Sequence, residues 1–175
     1  MSLQGVLPFV LDFLPRKPIE IEVSRAQLTG DAGLLPIRQF DEAICLTQRF
    51  ADALTDARTG DVRHSNRSLV RQRIYGILAD YEDQHDHDAL RSDPAFKLVC
   101  DRQPDGRDLA SQPTLSRFEN AVTIADLKRL RDVLCDQFLD AFAAPPSRIT
   151  LDIDAFDDPA HGRQQLIAFH GYYEQ

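Results

Sequence analysis

Four carboxylates fall within seven positions near the C-terminal end of the sequence: Asp152, Asp154, Asp157 and Asp158, with His161 three residues further on and Gly162 after it. They sit in the stretch RITLDIDAFDDPAHGRQQLIAFHG, from Arg148 to Gly171, which reads as a β-strand, an acidic turn and a second strand. In Ile149-Thr150-Leu151-Asp152-Ile153-Asp154 the side chains alternate between faces, so Asp152 and Asp154 share one face while Leu151 and Ile153 take the other. A carboxylate within an apolar strand is costly unless it is solvated, paired or bound to a metal. Oxygen ligands of this kind suit Mg²⁺ or Mn²⁺, and a two-metal phosphoryl-transfer site needs them to clamp the attacking and leaving oxygens. The plainer alternative is a strand end running into a solvated acidic turn.

Two other groups could carry chemistry. Arg58, Arg63, Arg67, Arg71 and Arg73 lie close together, and Arg63, Arg67 and Arg71 would form one stripe if a helix reached back to Arg63. The guanidinium fork binds phosphate oxygens in pairs, which makes this the best local DNA-facing group, against the alternative of an ion-paired helix surface. The strip Lys128, Arg129 and Arg131 is a weaker version of the same signal. The segment ADYEDQHDHD carries His85 and His87 among acids, conceivable as a metal site but read as a solvated acidic helix end, because no third ligand stands at a recognised spacing. Gly30-Asp31-Ala32-Gly33 is a plain turn, since neither a phosphate-loop lysine nor a dinucleotide fingerprint accompanies it.

The frame that must position these groups is a chain of 175 residues, 43% hydrophobic and 27% charged, enough for one ordinary domain or a small domain with part of another. A formal net charge of -8 speaks against a uniformly basic nucleic-acid binder, so any DNA contact has to come from a local patch. The three cysteines, Cys45, Cys100 and Cys135, are far apart and lack metal spacing, which fits reduced thiols in a reducing compartment. The apolar start lacks a basic region and is interrupted by Asp12, so a secretory leader is not expected, and no run is long enough to span a membrane.

In order, residues 1–18 with three prolines read as a loosely held arm, and Ile19 to Val23 as a half-buried strand. Helical patterns cover Phe40 to Leu54, with Phe40, Ala43, Ile44, Thr47, Phe50, Ala51 and Leu54 on one face, and Arg67 to Tyr81, with Val70, Ile74, Ile77, Leu78 and Tyr81 on its stripe. Asp86 to Pro94 reads as a turn region, and Phe96, Leu98 and Val99 as a short apolar patch. A short helix follows from Thr114 to about Ala121. Thr123 then caps a long one with Asp126 as its capping-box acid, and Leu127, Leu130, Leu134, Phe138 and Phe142 are expected to form its buried face. Pro145-Pro146 ends the helical part. The fold class is therefore α+β: an arm over 1–36, a mainly α-helical region over 37–144 and a β-hairpin within 145–175.

Four phrases taken together resemble one family: GDAGLLPIRQFDEAICLTQRFADALTDAR, HSNRSLVRQRIYGILADYEDQHDHDALRSDPAF, LASQPTLSRFEN and ITLDIDAFDDPAHGRQQ. In this order and spacing they resemble the N-terminal part of bacterial DDE transposases of the insertion-sequence thirteen-eighty group. The resemblance implies a helical region that binds the terminal-repeat DNA of the transposon, followed by the start of an RNase H-like catalytic domain; the arginine group of Arg63, Arg67, Arg71 and Arg73 supplies the candidate DNA contacts. It implies a triad of carboxylates holding two Mg²⁺ (or Mn²⁺) ions in the complete enzyme, for DNA strand cleavage and transfer. Asp154 is the first choice for the first catalytic aspartate and metal ligand, and Asp152 the second. Phe156 stands where the family has threonine, and the later acids of the triad have no counterpart in this sequence. The expectation is thus an end-binding portion, catalytically incomplete and without a stably held metal, found in the cytoplasm or on the nucleoid, with no membrane partner. Its partners would be terminal-repeat DNA and a full-length transposase or a second copy of itself. The alternatives are a regulatory protein that pairs with the full-length enzyme, or a remnant without a role.

Overall fold

The computed structural model describes residues 9–11, 13, 19–21 and 29–153. Within them the element order is β1 (Phe9–Leu11), β2 (Ile19–Ile21), α1 (Leu34–Ile44), α2 (Leu46–Ala53), α3 (Asn66–Leu78), a 3₁₀ turn (Gln84–Asp86), α4 (His87–Leu90), α5 (Pro94–Val99), α6 (Gln112–Asn120) and α7 (Ile124–Asp140). The chain divides into two units, Met1–Ala141 and Phe142–Gln175.

The strand expected from Ile19 is β2, and its partner comes from the arm. β1 pairs with it antiparallel, with Phe9 opposite Ile21 and Leu11 opposite Ile19. The arm is not loosely held at Phe13, which is buried beneath the Arg38 guanidinium at 4.6 Å from the ring centre.

The single helix expected from Phe40 to Leu54 is instead two helices. Cys45 takes a left-handed backbone, φ 57°, between them. That conformation is unfavourable for a residue with a Cβ. Asp41 compensates, because its carboxylate accepts the Thr47 backbone N–H at 2.9 Å and the Thr47 hydroxyl. It thereby caps the start of α2, where unpaired N–H groups favour an anion. The break also rotates the buried face. Phe40 is 62% exposed, and the side chains that α1 turns inward are Leu34, Leu35, Arg38 and Asp41.

Helix α3 opens on Ser65, whose hydroxyl accepts the Ser68 N–H, and buries Leu69, Val70, Arg71, Gln72, Tyr75 and Gly76. Ile77 and Leu78, expected on its apolar stripe, are more than half exposed. The main core gathers Leu34, Leu35, Tyr75, Leu90, Phe96, Val99, Cys100 and Leu109 with Phe13, and a smaller cluster joins Leu69, Ala110 and Leu115 to Phe118. Phe96 and Val99 belong to α5, a helix that Asp93 caps through the Phe96 N–H and Pro94 opens. Burial pushes the Cys100 thiol up to about 12, so it is inert, and Cys45 and Cys135 are exposed free thiols.

Helix α7 carries the capping box expected of Thr123 and Asp126. Of its expected buried face only Leu130 is half-buried: Leu127, Leu134, Phe138 and Phe142 are each more than two-fifths exposed. The helix docks on α2 through its other side, where Asp126 is buried and the Arg129 Nε donates to the Ala53 carbonyl at 2.6 Å. Fixed polar bonds at Asp126 and Arg129 act together with half-buried Leu130 and Val133 to turn this side inward.

In the second unit, the strand expected over Arg148 to Asp154 is not formed in its described part. Arg148 to Ile153 carries no regular secondary structure, and Ile149, Leu151 and Ile153 are exposed. Alternation marks a stretch that can become a strand, whereas a ladder also needs a neighbour that supplies its hydrogen bonds. The return strand of the expected hairpin lies outside the described residues.

Candidate nucleic-acid interface

The four arginines assigned to DNA do not form one face. Helix α3 starts at Asn66, so Arg63 lies in the loop before it. Arg67 is on the first turn, 41% exposed at its side chain and 3.6 Å from the Asp101 carboxylate. Arg71 is 2% exposed. Its guanidinium meets the Thr47 hydroxyl at 3.0 Å, Glu42 at 3.1 Å and the Asp101 carboxylate. Arg38 enters the same cluster from α1, donating to the Val99 carbonyl and to Asp101, both at 3.1 Å, and ion-pairing with Glu42. The Tyr75 hydroxyl completes it by donating to Asp41 at 2.7 Å, and burial, then this bond, pushes its own deprotonation far above the ordinary range. Arg71 is thus a structural cation at the centre of a buried network, closed to a phosphate. Arg73 is also engaged, by Glu119, by the Glu82 carbonyl at 3.2 Å and by His87 Nε2 at 3.2 Å.

A cationic cleft exists on the neighbouring surface. Arg58, Arg63, His64 and Arg91 line a cavity of about 450 Å³ together with Asp61, Asp108, Ser111 and Thr114. Arg58 is held rigidly, donating to Asp56, to the His64 carbonyl and to the Asn66 side chain, each at 2.7 Å. This bond holds Asp56 down at about 2. Behind the cleft, Arg102 donates to the Arg63 carbonyl at 3.2 Å and to His64 Nδ1 at 3.1 Å. Burial, then the charges of Arg102, Arg63 and Arg58, press His64 down to about 4. The imidazole is therefore neutral near pH 7, and its depression registers the positive field of the surrounding arginines. Asp108 offsets part of that field, but it is itself paired with Lys97 at 3.2 Å and Arg91 at 3.6 Å. Arg91 and Arg102 were invisible as members of a site in the sequence, because they come from segments far from Arg63.

Other sequence candidates have structural roles. Arg129 is tied to the Ala53 carbonyl, the Thr55 hydroxyl and Asp126, and Arg131 pairs with its neighbour Asp132 at 2.7 Å. His87 is not part of a solvated acidic end. It is fully buried, edge-on to Phe96, and burial followed by the Arg73 charge lowers it to about 4. Among the described residues no group of three His, Cys, Asp or Glu side chains is placed to hold a metal ion. Asp152 is exposed. Asp154, Asp157, Asp158 and His161 lie outside the described residues.

Residues 12–175 match the family model described as transposase DDE domain group 1. The chain belongs to this family. No curated protein and no solved structure matches the chain. As a DDE transposase family member it is related to enzymes that act on DNA and that generally depend on divalent metal ions. No helix among the described residues is long and apolar enough to cross a membrane.

Proposed function

We propose that this DDE-family chain is the end-binding part of a transposase of the insertion-sequence thirteen-eighty group. The observation that carries the reading is a family match running unbroken through both the helical region and the acidic stretch around Asp154. In this reading residues 37–144 engage terminal-repeat DNA, and residues 145–175 begin an RNase H-like catalytic domain. The exposed cations Arg63 and Arg67, with Arg91 across the cleft, hold phosphates. Arg71 and Arg73 keep α3, which carries Arg67, in place. Asp154, with Asp152 as the alternative, is the first carboxylate to hold Mg²⁺ in cut-and-paste transposition.

Gel shifts with terminal-repeat duplex DNA test the reading. Binding should weaken steeply with salt, because each neutralised phosphate releases counterions. Arg63→Ala combined with Arg91→Ala should weaken it and flatten the salt dependence. Absence of binding at low salt, or binding unaffected by both changes, defeats the DNA-contact assignment. In a transposition-competent enzyme of the element, Asp154→Asn should abolish strand cleavage while leaving end binding intact. Loss through Asp152→Asn with Asp154→Asn active would exchange the two roles.

The exposed apolar side of α7, with Ile124, Leu127, Leu134 and Leu139, favours a second reading as a regulatory partner of a full-length transposase. Co-purification with that enzyme, lost on Leu127→Gln with Leu134→Gln, would support it.

A further inference from the structure

The cationic cleft has an apolar neighbour. A second cavity, also about 450 Å³, opens between the loop after α2, helices α3 and α6 and the start of α7. Leu54, Leu69, Phe118 and Val122 give it apolar walls, with Asn66 and Arg117 among its polar lining residues. Arg58 and Thr114 line both cavities and form the wall they share. Arg58 cannot swing away to close either one, because Asp56, the His64 carbonyl and Asn66 fix its guanidinium.

We propose that the paired cavities form one nucleotide site, with an unstacked base in the apolar cavity and its phosphate in the arginine-lined cleft. The inference rests on the DNA-binding reading and adds the form of nucleic acid that the site accepts. A base inside a duplex has both ring faces covered by its neighbours, so it cannot fill a walled apolar cavity. A base in a single strand, or one turned out of a duplex, can do so. The dimensions allow it: the cavity is of the size that takes small ligands, and a lone base is smaller than most of these. Phe118 is partly exposed and offers an aromatic surface, while Arg117 on the next position can lie over a base plane. The polar groups that line this cavity are mostly engaged within the protein: Asp56 accepts from Arg58, and Asp126 from the Thr55 N–H, the Thr123 hydroxyl and Arg129. Asn66 has its carbonyl oxygen committed to Arg58, which leaves its amide N–H groups, and the Thr55 hydroxyl already accepts from Arg129. The site should therefore take any base, with little sequence preference. Two carboxylates, Asp61 and Asp108, also line the phosphate side, so a single phosphate should bind weakly without the base.

The test titrates the full chain with four probes: a short single-stranded oligonucleotide, the same strand made abasic, a blunt duplex of that sequence, and adenosine monophosphate. A fluorescent adenine analogue in the strand reports stacking. The base-bearing strand should bind on the order of tenfold tighter than the abasic one. Ala57→Trp fills the apolar cavity from an exposed loop position that carries no core packing. It should bring the base-bearing strand down to the abasic affinity and leave the abasic strand unchanged. Arg63→Ala should weaken both strands alike. Equal affinity for the abasic and base-bearing strands, or no effect of Ala57→Trp, overturns the proposal.

The two readings can fail separately. Tight duplex binding with no discrimination against the abasic strand sinks the nucleotide site and keeps the end-binding function. Binding of adenosine monophosphate, relieved by Ala57→Trp, with neither strand bound keeps the site as one for free nucleotides and removes the DNA role.

Discussion

Gly76 and His87 share one space. A Cβ placed on Gly76 would lie 2.7 Å from His87 Cε1 and 2.8 Å from Nε2, well inside contact distance. The ring cannot easily retreat, since Arg73 donates to its Nε2 and Phe96 closes its edge. A glycine in mid-helix is ordinarily a weakness of about 1 kcal/mol relative to alanine. Here it permits α3 and α4 to approach. Gly76→Ala should therefore destabilise the protein by roughly 1–3 kcal/mol through overpacking. The same change in a His87→Ala background should be neutral or stabilising, and a double-mutant cycle by urea denaturation measures the difference.

His87 also makes stability depend on pH. Burial and Arg73 lower its folded-state value to about 4, below the ordinary value near 6.5. Asp86, Glu119 and Asp88 act in the opposite direction and do not prevail. Between these two values the unfolded chain binds a proton that the folded chain refuses. Stability is thus fully present above about pH 6.5 and falls as the pH drops toward 4, by about 3 kcal/mol from this group. His64, lowered in the same direction, adds to the same window. Urea midpoints from pH 4 to 7 should show this slope in the native protein and a shallower one in His87→Asn.

Arg71 and Arg63 should separate cleanly in their effects. Arg71→Ala removes one of the two buried guanidinium groups that Asp41, Glu42 and Asp101 share, leaving Arg38 alone among them. Breaking one side of a buried charge cluster costs about 3–5 kcal/mol. Arg63→Ala on the exposed loop should change stability within about 0.5 kcal/mol. Thermal unfolding of both variants, compared with their DNA affinities, distinguishes a scaffold cation from a contacting one.

On α7, Leu127→Gln and Leu134→Gln replace side chains that are 56% and 54% exposed. Each should alter stability within about 0.5 kcal/mol, whereas a buried leucine there would lose several times more. Light scattering at high protein concentration should fall, because the changes divide an apolar stripe.

What could be read in the sequence was what depends on near neighbours. The capping box of Thr123 and Asp126 and the helical character of the 112–140 region were legible, since capping and periodicity act within a few residues. The faces were not. The stripe of α7 pointed to burial, yet the inward side is the one bearing Asp126 and Arg129. The inward side of α1 carries Arg38 and Asp41, which a hydrophobic pattern assigns to solvent. These residues are buried only because partners from other segments, Asp101 and Tyr75 among them, meet them there. The cleft was half legible for the same reason: Arg58 and Arg63 stand together in the chain, while Arg91 and Arg102 are brought to them by folding.

Asp126 does more than open a helix. Besides the Thr123 hydroxyl and backbone, its carboxylate accepts the backbone N–H of Thr55 at 2.9 Å, across 71 positions of sequence, and holds Arg129. It is a clasp on a large loop that contains α3 to α6. A closure of that length forms only once the enclosed helices are in place, because its entropic cost must be met by contacts made earlier. The consequence is kinetic. Asp126→Asn should leave the refolding rate nearly unchanged and accelerate unfolding, the signature of a bond absent from the transition state. Stopped-flow chevrons would show this as a shift confined to the unfolding arm, so the lifetime of the folded state, more than the speed of reaching it, is set at the start of α7.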